Sequence, residues 1–530
     1  MMASALSIAV LVVAALGVSA QAGLFPPASV VGFPGPTPTG AEPEVVATAP
    51  AAPFQSSYYP LIHPDPPADN KSFDPARYWG GLAPAISNPP DTFATYLINS
   101  SVLIPPTCEL LEAHMLHRHG ARYPSSSETV STLGTKIANA TATGQLIATG
   151  ELAFLNTWKY GLGAEILTPY GREQLFDLGV SWRVKYGHLL DKFPNGTLPV
   201  FRTTSQDRMV KSALNFAAGF FGIPYEDQYH QEIIIEGAPA GIAGNNTLSP
   251  ASCKNLLIGL TDSAAPIAKW QTIYLANATA RINSLVTGIN FTAADVGNMQ
   301  SLCAYESVAV GYSDFCRLFT EAEWEGFEYS SDLTYWYGFA WGAPAAAAMG
   351  VGWVQELVAR LTHTPLTVFN SSTNSTLDSN PLTFPVNQSL YVDATHDSFV
   401  DSVLVALNFT SFIKTGPLPV DHIPAGKRSF VASETTPFAT ALVAQVVNCT
   451  NASGSATPYI RWLLNDASVP LDNIPGCGAD AYGRCPLDAF VAAMKVRVGE
   501  INYAFDCFSN VTIPDIVAAN ITNGRPPNAP

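Results

Sequence analysis

Three times in this chain an extended apolar run meets a polar turn and then a helical pattern, a repetition that restricts the fold more than any other feature. "LLEAHMLHRHG" runs into residues 125–137, "LPVFRTTSQD" precedes "RMVKSALNFAAGFFG", and "SLYVDATHD" precedes "SFVDSVLVALN". In the second unit Met209, Val210, Ala213, Leu214, Ala217 and Phe220 recur at helical spacing. Strand, turn and helix in succession predict an α/β sheet of mostly parallel strands with helices on both faces, whose ligands gather beyond the strands' carboxyl ends. Thr168-Pro169 predicts one more helix start, with Thr168 as N-cap, Pro169 at the first helical position and Leu175, Leu178 and Trp182 on its apolar side. Between about Pro224 and Ala340 the pattern turns helical and carries cysteine, as expected of an insertion covering the sheet. The α/β domain is therefore expected over 78–223 and 341–530, and a mainly helical inserted domain over 224–340.

Ahead of these units, Ala3 to Val18 is an apolar run followed by small-residue patterns around Ser19 to Ala22, which predicts a secretory signal over 1–22. The run falls short of the ~20 apolar residues of a membrane span, so an anchor is the weaker reading. Residues 23–77, rich in Pro and Ala and without apolar periodicity, are expected to be disordered. Eight cysteines, none in a CxxC pair, read as four disulfides of an extracellular protein rather than a zinc-thiolate site. Spacing alone leaves the pairing open. A net charge of −16 argues against nucleic acid or an anionic membrane as partner. Fifteen N-x-[ST] sequons are glycosylation candidates, at Asn70, Asn99, Asn139, Asn195, Asn245, Asn277, Asn290, Asn370, Asn374, Asn387, Asn408, Asn448, Asn451, Asn510 and Asn520.

Within the first unit stands "HMLHRHGARYP", with His114, His117 and His119 interleaved by Arg118 and Arg122. In an extended strand His117 and His119 share a face that could chelate a metal, with His114 on the other. Two permanent cations sit where a dication would bind, and no carboxylate follows before Glu128, so Coulomb repulsion favours an anion instead. Each guanidinium offers a planar fork for phosphate oxygens, Gly120 permits close backbone approach, and Pro124 limits the turn. The plainer alternative is a histidine-bearing core strand whose arginines are merely solvated.

Arg118-His119-Gly120-Ala121-Arg122-Tyr123-Pro124, with Thr395-His396-Asp397 far downstream, resembles the histidine acid phosphatase family, and its fungal, basidiomycete-like phytase branch in particular. The likeness extends through "FCRLFTEAEW", "GVGWVQELVARLTHTPL" and "RWLLNDASVPL", from roughly Pro106 to Ser509. It implies a phosphoglycerate mutase-like fold and a secreted, monomeric phosphomonoester hydrolase that needs no metal or other cofactor. It implies His119 as nucleophile, Asp397 as proton donor, and Arg118, Arg122, Arg202 and His396 as phosphate ligands. Arg208 competes with Arg202, which is favoured on its match to the family position. Asp397 is also well placed simply to cap a helix. The resemblance further implies disulfides Cys108–Cys449, Cys253–Cys507, Cys303–Cys316 and Cys477–Cys485. Tyr123, Glu128, Thr334 and Tyr335 are the candidates for lining the substrate pocket. Where other phytases place lysines the chain has Glu128 and Ser131, and again Leu333-Thr334-Tyr335, which implies weaker selection of a polyphosphate. Phytate hydrolysis is the leading reading. Broad acid phosphatase activity, or a silent phosphate-binding glycoprotein, are the alternatives, and a phosphoglycerate mutase-like transferase shares the nucleophile.

Overall fold

The computed structural model describes residues 67, 70, 72–85, 98, 100–236, 245–450 and 453–530. The expected signal at 1–22, most of the 23–77 segment, and the sequons at Asn99 and Asn451 lie outside them. The central sheet has eight strands: β1 (Cys108–Arg118), β2 (Val200–Thr204), β3 (His230–Ile234), β4 (Leu390–Thr395), β5 (Ala441–Thr450), β6 (Ala456–Leu464), β7 (Ala467–Val469) and β8 (Cys485–Pro486). Their order is β8-β6-β5-β1-β4-β2-β3, with β7 paired to β6. β1, β4, β2 and β3 are parallel neighbours, whereas β5 runs antiparallel to both β1 and β6.

The helices that concern the site are α1 (Val130–Ala142), α2 (Pro169–Tyr186), α3 (Asp207–Phe221), α4 (Leu256–Tyr274), α5 (Ala293–Val310), α6 (Glu321–Gly338), α7 (Ala346–Leu361), α8 (Asp397–Ala406) and α9 (Leu487–Glu500). Alternation along β1 decides which helices meet which face. Ala113 and Met115 join Leu175, Trp182 and Phe216 of α2 and α3 in one core. Leu116 joins Met349, Trp353, Val403 and Phe490 of α7, α8 and α9 in another. The sheet is thus covered on both faces, as the strand–helix units require. No helix among the described residues is long and apolar enough to cross a membrane.

The structure departs from the expected boundaries in three places. Strand β3 is hydrogen-bonded to β2 within the central sheet, so residues 230–234 belong to the sheet and not to an insertion beginning at 224. The helical layer draws on two chain segments: Val130, Leu133, Ile137 and Leu155 share one core with Met299, Leu302, Phe315 and Trp324. Phe73 and Ala76, expected in a disordered segment, are buried in that same core, with Asp74 accepting a hydrogen bond from Ala76 N–H at the start of a short 3-10 helix. The sequence misses this because a single apolar anchor such as Phe73 carries no periodicity.

The four disulfides are Cys108–Cys449, Cys253–Cys507, Cys303–Cys316 and Cys477–Cys485. These are the pairings that the family resemblance implies. The first staples β1 to β5 where the two are register partners. Of the sequon asparagines, Asn139, Asn195, Asn245, Asn277, Asn290, Asn370, Asn387, Asn510 and Asn520 are exposed, whereas Asn70, Asn374, Asn408 and Asn448 are half-buried.

Candidate active site

All four parallel strands end at one edge, and each delivers a side chain just beyond its carboxyl end. His119 follows β1, Arg208 lies in the first turn after β2, Glu236 follows β3, and His396-Asp397 follow β4. The parallel register pairs Arg118 with Thr395, and His119 N–H donates to the Thr395 carbonyl at 3.2 Å. His119 and His396 are therefore set side by side, with ring centroids 5.7 Å apart. A cavity of about 530 Å³ opens here, lined by Arg122, Arg208, Glu236, His396 and Asp397 among others.

The loop after β1 is shaped by α2. A Cβ on Gly120 would lie 2.1 Å from the Gly171 carbonyl oxygen, and one on Gly171 would lie 1.9 Å from that of Ala121. The motif glycine thus serves close approach to a helix, a packing demand rather than the ligand approach its position suggested. Thr168, the N-cap of α2, accepts from Gly171 N–H at 3.0 Å and donates to the Ala121 carbonyl at 3.2 Å, while Ala121 N–H donates to Gln174 Oε1.

His119 is 1% exposed, and its Nδ1 lies 2.8 Å from the Gly120 carbonyl oxygen, which fixes the proton on Nδ1 and leaves Nε2 with a free lone pair. Burial foremost, then the charges of Arg118, Arg208, His396 and Arg122, holds its pKa well below the ordinary imidazole value, so it is neutral. Arg118, fully buried, donates to the carbonyls of Gly81 and Thr436, to Asp397 Oδ2 at 2.5 Å, and stacks 4.4 Å from the Phe438 ring. Asp397 accepts also from Tyr335 Oη at 2.9 Å and from Ser398 N–H at 2.6 Å, so it opens α8 and faces the cavity at once. Burial raises its pKa, but Arg118 and then Arg122 outweigh this and hold the carboxyl well below the usual carboxylate range. His396 Nε2 lies 2.8 Å from Glu236 Oε1, and Thr204 and Ser249 hydroxyls donate to the same carboxylate.

Arg122 donates to Glu128 Oε1 at 3.1 Å and to Tyr305 Oη at 3.3 Å, and Tyr305 donates to Glu128 at 2.5 Å. Arg208 donates to Glu165 Oε2 at 2.6 Å, and Ser126 N–H binds the other oxygen. Glu165 holds φ at 70°, a left-handed conformation rare outside glycine. Each of these arginines therefore has a carboxylate fixing its direction.

Arg202 is not at this edge. It lies within β2, 2% exposed, bidentate to Asp393 at 2.8 and 3.0 Å and bonded to Glu356 at 2.6 Å, with Arg360 also on Asp393. The reason is positional: mid-strand side chains enter the core, whereas Arg208, one residue inside α3, stands beyond the strand end. That rule was available in the sequence. Thr334 donates to its own helix at Ser330 and is not among the cavity's residues. Tyr123 packs in the helical core, with its backbone bonded to Ile166 and Arg122. His114 stacks on Tyr391 at 4.5 Å and meets Glu112 at 3.0 Å, on the α7 side of the sheet. His117 stacks on Phe216 at 5.4 Å, on the other side, and bonds the Arg118 carbonyl. Residues the sequence left unassigned are Arg208's clamp Glu165, Tyr305, and Glu236 beneath His396; each lies far from the motif in sequence and only the packing brings it near.

Residues 109–465 match the histidine phosphatase superfamily (branch 2). Phytase A of Aspergillus oryzae is 30% identical over 450 residues, covering 82% of this chain and 91% of its own length. Phytase A of Aspergillus terreus is 34% identical over 420 residues, covering 76% and 86%. Among solved structures, the phytase from D. castellii superposes with a TM-score of 0.64 at 25% identity, over 88% of this chain and 93% of that one. The matched span starts in β1 and ends just past β6, so it contains the whole strand edge where His119, Arg208 and His396-Asp397 converge. The chain belongs to branch 2 of the histidine phosphatase superfamily.

Proposed function

We propose that this protein is a secreted acid phosphatase that hydrolyses phosphomonoesters through a phosphohistidine on His119, with phytate its principal substrate. The observation that carries the reading is a neutral, buried imidazole with a free Nε2, under the charges of Arg118, Arg208 and Arg122 and beside His396, with Asp397 ion-paired to Arg118. Nε2 attacks phosphorus in line, the ester P–O bond breaks, and the three guanidiniums with His396 hold the charge spread over the phosphoryl oxygens. Arg208 takes the role that the sequence assigned to Arg202.

Asp397 protonates the leaving alkoxide. In the free site Arg118 and Arg122 keep it ionised. A bound phosphate dianion competes for those guanidiniums and adds negative charge nearby, and both changes raise the carboxyl's proton affinity. In the second half Asp397, now a carboxylate, takes a proton from water, whose oxygen attacks the phosphohistidine and releases inorganic phosphate. Positive charge is supplied throughout by the chain's own side chains. Extracellular residence is supported by the four disulfides and by the exposed sequon asparagines.

The test is turnover of phytate and p-nitrophenyl phosphate at about pH 5 in excess EDTA, where the nucleophile is neutral and alcohol protonation is favoured. Alkaline denaturation should trap a base-stable, acid-labile phosphoenzyme. His119→Ala should abolish it and lower turnover more than about 10³-fold. Retained turnover, or complete loss on adding EDTA, would sink the mechanism, and strong preference for p-nitrophenyl phosphate would remove phytate.

A further inference from the structure

The cavity that Arg122 and Arg208 line is also lined by a stretch of residues 250–257. Pro250, Ala251, Leu256 and Leu257 are neutral, and Lys254 is the one charged residue of that stretch. Lys254 is exposed, and among the described residues no carboxylate pairs with it. The contrast with Arg122 and Arg208 is sharp, since each of those already carries a carboxylate partner. Its backbone is held on both sides. Cys253 is buried and bridged to Cys507, while Asn255 donates its side-chain amide to the carbonyls of Asp506 and Ser509 and its N–H to Cys507. A cation on a tethered backbone, lining a cavity and paired with no carboxylate among the described residues, is prepared for an anion supplied from outside.

The size of the cavity says which anion. About 530 Å³ lies within the range of sites for whole small molecules and far exceeds the space for one phosphoryl group. With the scissile phosphate on Arg118, Arg122 and Arg208, the remainder of the substrate extends toward the 250–257 wall. We infer that Lys254 binds a second anionic group of the substrate and so sets preference for polyphosphorylated over singly phosphorylated esters. The inference rests on the phosphatase reading above. It also gives polyanion recognition a source other than the two lysine positions that are Glu128 and Leu333-Thr334 in this chain.

Two measurements on Lys254→Met and Lys254→Arg decide it. In turnover, Lys254→Met should raise KM for phytate roughly five- to twenty-fold with kcat little changed, alter kcat/KM for p-nitrophenyl phosphate less than about two-fold, and be rescued by Lys254→Arg. The phytate effect should shrink between about 0.1 M and 1 M salt, as the screening length falls from about 10 Å to about 3 Å. In calorimetry, myo-inositol hexasulfate should bind Lys254→Met roughly five- to twenty-fold more weakly than wild type, with inorganic phosphate binding nearly unchanged. Equal effects on both substrates and both ligands, or none on either, would overturn the assignment. If wild type fails to turn over phytate, the phytate reading falls, yet the calorimetric contrast still decides Lys254.

Discussion

Arg202 and Arg208 belong to one strand–helix unit six positions apart, and their surroundings give them opposite duties. Arg202 neutralises Asp393 and Glu356 inside the sheet, where removing one partner leaves buried charge uncompensated. Arg202→Ala should therefore lower unfolding free energy by about 3–5 kcal/mol, read from thermal or urea unfolding. Arg208 faces the cavity beside Asp397 and is held by Glu165. Arg208→Ala should lower kcat/KM by about 10²–10³-fold while the thermal midpoint moves little, because in the proposed mechanism it meets charge developing on the phosphoryl oxygens. The reverse pattern would restore Arg202 as the phosphate ligand. His119 shows the same dependence on surroundings: three histidines stand within six positions, and only this one lies past the end of β1, with its Nδ1 proton committed to Gly120 and its ring beside His396.

At the level of elements, the loop that carries His119 is a joint between β1 and the first turn of α2. Backbone of Gly120 and Ala121 touches backbone of Gly171, leaving no room for a Cβ on either glycine. Gly120→Ala should force the two apart, costing about 1–3 kcal/mol of stability as an overpacked contact. It should also lower kcat at least about ten-fold, since an ångström's displacement of a reacting group is severe. A variant with wild-type kcat would show that the joint has slack. The start of α2 was legible in Thr168-Pro169, because capping chemistry is local. Its contact with the motif was not, because the sequence does not record which helix a glycine faces.

Across the whole molecule, the site's electrostatics couple to stability. Burial pushes His117 down to about 4, and His114 and His119 are also lowered, burial first. The unfolded chain binds protons at these histidines near pH 6.5 and the folded chain does not, so stability is fully present above pH 6.5 and lost as pH falls toward 4. Glu236 is opposed by burial but held down to about 2, chiefly by His396, and its contribution is lost between about pH 4.5 and 2. The part of the thermal midpoint that these histidines carry should be constant above pH 6.5 and fall below it. His117→Gln should flatten the upper part of that fall by up to about 3 kcal/mol, and an unchanged profile would contradict the burial account. By itself the sequence determined the strand–helix units, the start of α2 and the motifs that carry Arg118, His119, Arg122 and His396-Asp397, because these follow from spacing and residue chemistry along a few positions. The tertiary structure decided which of Arg202 and Arg208 reaches the cavity, that Glu165, Tyr305 and Glu236 pair with the charged groups there, that β3 belongs to the sheet, and that Lys254 lines the same cavity. Those depend on parallel register and on contacts between segments far apart in the chain, where burial, not local pattern, sets the energy.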